Sequence, residues 1–486
     1  MSRLERIALV GLPLLVAIVL LSAIDRDPAQ DITFSNAPFS DEGWRVVNAR
    51  NFVLLGAWAT DDWALHMVQF PLSLAQAVVF SIAGVGLVQA RLISVAAAVA
   101  MAGILLIGLR RPLGLAGAVA AAVAVSLSAL TLYYGRLALL ELPVALALSL
   151  AAVGVIHVER GSIGRWACVC GLAIAVAFGL KANALPSVLG ILGAGAVRSI
   201  REPEIRRFLL LVIVIVAAGA VAWLAAIAVP NWTKLGALIS EHAVIPRSVA
   251  DWLAFVGRFA TKNDRLFGLA WPLLTAAGAG AVIAIWDSVC ARRDGTVTLP
   301  HSARVTLLGI LWAGAGLIGI ASFEYQPNRY VVPILPGMAL LVGAGVSVVW
   351  TRMADRARWV RAASAIALIV VLAAPGLLID AEWRAETGQR ALEGQEAVER
   401  ILPSGTEVVG GYAALFAMRV PSATIVTNVG TINRGDLYDE GIRWYFIDND
   451  ASRLSRDHPV EWAARQERWC TTWGQSDTRT CLVELP

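Results

Sequence analysis

The sequence predicts a polytopic α-helical membrane protein with a small soluble α/β domain at its C-terminal end. Three observations predict it. Apolar residues make up 58% of the 486 residues and charged residues only 16%, against about 25% charged in a soluble domain. Mean hydropathy is +0.68. Runs such as 208–229 carry no charge at all, and about 20 apolar residues in helix cross a bilayer. Lipid offers the backbone no hydrogen bonds, so repeated runs of that length mean helices.

In chain order, about eleven spans are expected: near 6–24, 91–109, 113–131, 138–157, 163–180, 183–198, 207–229, 266–288, 304–323, 330–350 and 359–379. The first follows Arg3 and Arg6 like a signal peptide. No small-residue cleavage site follows it, so it is read as a retained helix. The stretch 72–88 is also apolar, and the basic loops decide its place. Without it as a span, Arg110, Arg111, Arg160, Arg165, Arg198, Arg292, Arg293, Arg352 and Arg356 all fall on the side of Arg3 and Arg6, as the positive-inside rule asks. With it, they flip outward. The N-terminus is therefore read as cytoplasmic, and 72–88 as an outer juxtamembrane helix. The membrane domain is 1–379, with outer loops at 25–90 and 230–265. The soluble domain is 380–486, also outside. The expected location is the cell inner (plasma) membrane, with the working face toward the periplasm or exterior. The net charge of +4 is spread over many loops and describes topology; no nucleic-acid partner is expected.

The tail begins with a polar helical stretch, 381–400, before Pro403-Ser404-Gly405. EVVGGY, AALFAM, ATIVT and IRWYFID then alternate strand and helix patterns. Of five cysteines, Cys168, Cys170 and Cys290 lie in or beside apolar helices and read as small apolar residues. Cys470 and Cys481 flank the polar stretch TTWGQSDTRT and are expected to pair in an oxidising compartment.

The charged residues of interest fall at the outer face. SDEGWRVVNARNF opens with Asp41 and Glu42 ahead of apolar positions at helical spacing; acids there also complement a helix dipole. YYGRLALLELP places Tyr134, Arg136 and Glu141 at a helix entrance. GLKANALP puts Lys181 at a helix end. SEHAVIPR carries Glu241 and His242 in the second outer loop, and NRYVVPILP puts Arg329 and Tyr330 before the tenth span. Each alone reads as a snorkelling charge. Several cations and carboxylates on one face point to a site for an anionic, lipid-borne substrate.

In their order and spacing these segments resemble the C-type glycosyltransferase superfamily, in the branch of protein O-mannosyltransferases and lipid A aminoarabinose transferases, over residues 6–350. The resemblance implies sugar transfer from a polyprenyl-phosphate donor on the outer face to a glycan, lipid or protein acceptor. It implies catalysis by Asp41 or Glu42, with Arg136, Glu141, Lys181, Arg329 and Tyr330 at the donor. Tyr134, Glu241 and His242 are further donor or acceptor contacts. The sequence departs from the pattern in three places. Glu141 stands where the family often has Asp, Leu-Lys-Ala replaces Thr-Lys-Gly, and Gln69-Phe70-Pro71 lacks the lysine before the juxtamembrane prolines. One base and no evident nucleophile favour direct displacement with inversion. No cofactor is required; a divalent cation stays open, since related oligosaccharide transferases use one, although no compact D-x-D-x-D cluster stands here. The rival reading is a secondary transporter of a lipid-linked or anionic substrate. It lacks the internal repeats and broken midplane helices such proteins often show.

Overall fold

The computed structural model describes residues 3–28, 40–58, 66–159, 161–200, 202–232, 248–262, 264–293, 301–323, 326–421, 423–426, 438, 441–447, 459–473 and 478–486. The chain is mostly helical and ends in a small sheet domain. Seven described segments are long and apolar enough to cross a membrane: Leu87–Ser126, Ile163–Leu180, Pro203–Ala228, Ala270–Cys290, His301–Ala321, Asn328–Arg352 and Trp359–Ile401. Gln69–Ala83 and Glu141–Ile156 are apolar but shorter.

The helices are α1 Arg3–Leu21, α2 Ser40–Leu55, α3 His66–Ala83, α4 Leu87–Ser126, α5 Ala129–Tyr134, α6 Glu141–Ile156, α7 Ile163–Leu180, α8 Leu185–Ser199 and α9 Pro203–Trp223. They continue with α10 Val249–Lys262, α11 Asp264–Arg293, α12 His301–Ala321, α13 Leu335–Arg352, α14 Arg358–Glu386, α15 Arg390–Ile401, α16 Ala413–Phe416 and α17 Pro459–Ala463. Within α4 two helical runs meet at Gly114, whose φ of 69° and ψ of 175° are non-helical, near the junction of the predicted spans 91–109 and 113–131. That left-handed backbone is open to glycine, and two residues earlier Pro112 interrupts the helical hydrogen bonds. At the other end, α14 runs without interruption from Arg358 to Glu386, so the last apolar helix carries straight into the polar stretch.

The bundle packs closely where side chains are small. A Cβ on Gly117 of α4 would stand 2.7 Å from the Gly343 carbonyl oxygen of α13, and one on Gly343 would stand 2.7 Å from that of Gly117.

The tail sheet has the order β2-β1-β3-β5-β4, with β1 Glu407–Val409, β2 Thr424–Val426, β3 Trp444–Ile447, β4 Gln466–Trp473 and β5 Thr478–Glu484. β1, β2 and β3 are parallel, while β5 is antiparallel to β3 and β4. Side chains alternate between its faces. Val408, Trp444, Phe446 and Leu482 pack with α2, α3 and α16, while Val409, Tyr445, Cys481 and Val483 form a second cluster. The expected α/β pattern through β3 is present. Cys470 and Cys481 stand opposite each other on β4 and β5 and are joined by a disulfide.

Candidate active site

Asp41 and Glu42 occupy the first turn of α2. Consecutive helical side chains diverge by about 100°, so the two acids enter different surroundings. Glu42 is fully buried. Its Oε1 accepts from Arg91 Nε at 2.8 Å and from the Ala138 backbone N–H at 2.7 Å; its Oε2 accepts from Arg91 Nη2 at 2.7 Å. Arg91 Nη1 donates to the carbonyls of Ile24 and Arg26. The pair is hydrogen-bonded on every side, the condition under which a buried ion pair is tolerated.

Asp41 keeps 31% of its side chain exposed, and its Oδ2 lies 2.7 Å from Arg329 Nη1. Arg329 sits in the 3-10 turn Asn328–Ile334 ahead of α13. Its Nε lies 3.6 Å from Glu141 Oε1, and the same oxygen accepts from Lys181 Nζ at 2.5 Å. Glu141 opens α6. Lys181 occupies the extended break after α7, with φ −161° and ψ 119°, and its ammonium rests 4.2 Å from the centre of the Tyr330 ring, within cation–π range. Asp41, Glu141, Lys181, Arg329 and Tyr330, from four separated segments, thus form one cluster.

The structure adds a cation that the motif reading passed over. Arg45 follows Asp41 by four residues, on the same face of α2. Its Nη1 donates to Gln69 Oε1 at 3.2 Å, and Gln69 Nε2 donates back to the Arg45 carbonyl at 3.0 Å. Gln69, with non-helical φ −144°, precedes the helical run begun by Pro71. Where the resemblance led one to expect a lysine, a glutamine therefore steadies an arginine supplied by α2. The i, i+4 spacing from Asp41 was the available signal.

These charges set the titration of the site. Burial pushes the Asp41 carboxyl upward, but Arg329, Arg45 and Lys181 together outweigh it and hold its pKa below the ordinary value. Burial dominates at Lys181 and, with Arg329 and Arg45 against the opposing pull of Glu141, brings it down to about 8.

Other expected site residues meet different partners. Arg136 pairs with Asp380 of α14 rather than with Glu141, and Asp380 also accepts from Arg384. The continuous α14 brings Asp380 back over the α5–α6 turn, a proximity that local sequence does not reveal. Tyr134 is buried edge-on to Tyr133, which in turn meets Trp383. Glu241 and His242 lie outside the described residues.

The helical membrane bundle with its terminal sheet domain shares its fold with solved C-type membrane glycosyltransferases. The chain superposes on the crystal structure of ArnT from Cupriavidus metallidurans bound to undecaprenyl phosphate with a TM-score of 0.64 at 16% identity, covering 99% of this chain and 98% of that one. The Archaeoglobus fulgidus oligosaccharyltransferase in complex with Zn and sulfate gives 0.52 at 12% identity, over 92% of this chain and 68% of that one. Mycobacterial arabinofuranosyltransferase AftD gives 0.50 at 16% identity, over 93% of this chain and 37% of that one. All three are C-type glycosyltransferases, so the similarity expected from the motifs is found in the fold. No protein-family model matches the chain, and no curated protein matches it in sequence.

Proposed function

We propose that this protein transfers a sugar from a polyprenyl-phosphate-linked donor to an acceptor hydroxyl at the outer face of a multi-pass membrane domain. The observation that carries the reading is the balance of the Asp41 cluster. Among the described residues, the cations Arg45, Lys181 and Arg329 face the carboxylates Asp41 and Glu141, leaving one net positive charge. A polyprenyl phosphodiester sugar brings one negative charge and neutralises it.

The chemistry keeps that balance. The acceptor oxygen forms a bond to the anomeric carbon while the bond from that carbon to the phosphate oxygen breaks. The hydroxyl proton passes to Asp41, the general base. The lipid phosphate leaves with a second negative charge just as Asp41 loses its own. Arg329, freed from Asp41 at that moment, turns toward the leaving phosphate with Lys181, where a fixed cation in a water-poor site acts most strongly. Glu141 holds the two cations in place, and Tyr330 packs under the ammonium. Single displacement inverts the anomeric centre.

Glu42 is assigned to holding α2, because each of its oxygens already accepts from Arg91 or Ala138. Arg136 is assigned to the Asp380 pair. No divalent ion is required, since both cluster carboxylates are already faced by a surplus of cations and a hard cation needs about six oxygens. The cluster sits at helix ends rather than in span centres, which favours an enzyme over a secondary transporter.

The test is mass spectrometry of cell-envelope glycans with and without the protein, together with undecaprenyl phosphate titration of the purified protein. A defined sugar lost from the envelope, with saturable binding of the lipid phosphate, is expected. Unchanged glycans and no binding overturn the reading.

A further inference from the structure

The helix that carries Asp41 is gripped from its far side by the tail domain. Arg50 lies nine residues along α2, about 13 Å by helical rise, and is fully buried. Its Nε donates to the Met418 carbonyl at 3.0 Å, its Nη2 to the Val420 carbonyl at 2.5 Å and its Nη1 to Asn51 Oδ1 at 2.8 Å. Trp44 Nε1 donates to the Gly411 carbonyl at 3.0 Å. At Gly43 the two backbones touch: a Cβ there would overlap the Leu415 backbone nitrogen and stand 2.5 Å from the Ala414 carbonyl carbon. Val46, Val47 and Ala49 share one apolar cluster with Leu415, Phe416 and Met418.

The tail is tied down beside this contact. Asp27 accepts the first N–H groups of α15, from Arg390 at 2.8 Å and Ala391 at 3.0 Å. On its other side α2 is held to the bundle by the Glu42–Arg91 pair. A buried guanidinium is costly unless it is well hydrogen-bonded, and apolar residues would fill the same space more cheaply. Directional bonds to two carbonyls of the neighbouring domain fix a position, which apolar packing does less sharply.

We propose that the tail domain is a positioning element of the active site, with Arg50, supported by Trp44 and Gly43, setting α2 so that Asp41 meets Arg329. This rests on Asp41 being the base. Arg50 is a positioning residue whose effect reaches the chemistry through Asp41 alone.

The test uses the full-length protein, purified for two readouts and expressed in cells for the third. Infrared titration of the carboxylates, wild type minus Asp41→Asn, isolates the Asp41 signal. Undecaprenyl phosphate binding reports the cation site, and envelope glycan output per folded protein reports turnover. In Arg50→Lys the Asp41 titration is expected to move up toward the ordinary carboxylate range. Output should fall about tenfold or more, the scale of a small misplacement, with lipid phosphate affinity within about twofold. Trp44→Phe keeps an aromatic ring, loses the N–H to Gly411 together with the five-membered part of the indole, and should move the same readouts in the same direction by less; it decides the matter if Arg50→Lys does not fold. An unmoved Asp41 titration overturns the proposal, as does a fall in output explained wholly by loss of folded protein. The two readings fail differently. Glycan output that survives Asp41→Asn removes the base itself. Output lost in Asp41→Asn but normal in Arg50→Lys removes only the positioning role.

Discussion

Asp41 and Glu42 are neighbours in sequence and chemically near-identical, yet the structure gives them opposite lives. Glu42 has no exposed surface and accepts three short hydrogen bonds from Arg91 and Ala138. Asp41 is partly open and, among the described residues, holds one ion pair, to an arginine that also faces Glu141. A saturated carboxylate can only hold structure. One with a free lone pair and an exchangeable partner can take a proton. Adjacent acids in a motif are therefore not interchangeable candidates, and hydrogen-bond saturation separates them.

The largest expected effect breaks or confirms this contrast. Asp41→Asn should cut turnover by roughly 10²-fold or more, the scale of a general base, while thermal stability and undecaprenyl phosphate binding stay near wild type. Glu42→Ala should do the reverse. Leaving Arg91 buried without its carboxylate costs about 3–5 kcal/mol, read as a lowered unfolding midpoint in detergent. Turnover of the remaining folded fraction should fall far less than in Asp41→Asn. A stable but inactive Glu42→Gln beside an active Asp41→Asn would exchange the two roles.

Next in size are the cations proposed to meet the donor. Arg329→Gln and Lys181→Gln should each weaken undecaprenyl phosphate binding by about tenfold, the worth of one hydrogen bond to a charged group. Glu42→Gln should leave that affinity unchanged. A titration with the lipid phosphate decides it, and equal affinity in the double variant would remove both residues from the donor site.

The smallest effect is a pH dependence whose sign follows from the two shifts. Lys181, brought down to about 8, is charged below that pH and loses its charge as pH rises through it. A phosphodiester stays singly charged over the same range. Donor affinity and kcat/KM should therefore be level near neutrality and fall above about pH 8. Bound donor stabilises the ammonium, so the same limb in kcat should lie higher. Asp41 lies below the ordinary carboxylate value and, as the proposed base, must be ionised to act. The acid limb should therefore lie below about pH 4. In Lys181→Gln the alkaline limb should vanish; its persistence there would move it to another group.

Much of this was legible in the chain. Long uncharged runs require membrane helices whatever their order, because unpaired backbone is intolerable in lipid. Cys470 and Cys481 were the only cysteines in a polar segment, and the disulfide joins them. Asp41, Glu141, Lys181 and Arg329 stood out because a charge at the end of an apolar helix has few ordinary reasons to be there. Local pattern failed where it could not see distance. The place of Arg45 in the cluster depends on Gln69, twenty-four residues on. Arg136 stands five residues before Glu141 at the entrance of α6, but its carboxylate comes from Asp380, more than two hundred residues away.

The sequence by itself determined the helical membrane class, the α/β tail, the disulfide and the short list of charged residues. These follow from hydrophobic runs, strand and helix periodicity and residue chemistry, all of which are local. Only the tertiary structure decided which acid is held and which is open, which cation each carboxylate meets, and that the tail domain bears on the helix carrying Asp41 through Arg50. Those are properties of pairings between segments. An ion pair a few ångströms long depends on the packing of whole helices, which no window of sequence contains.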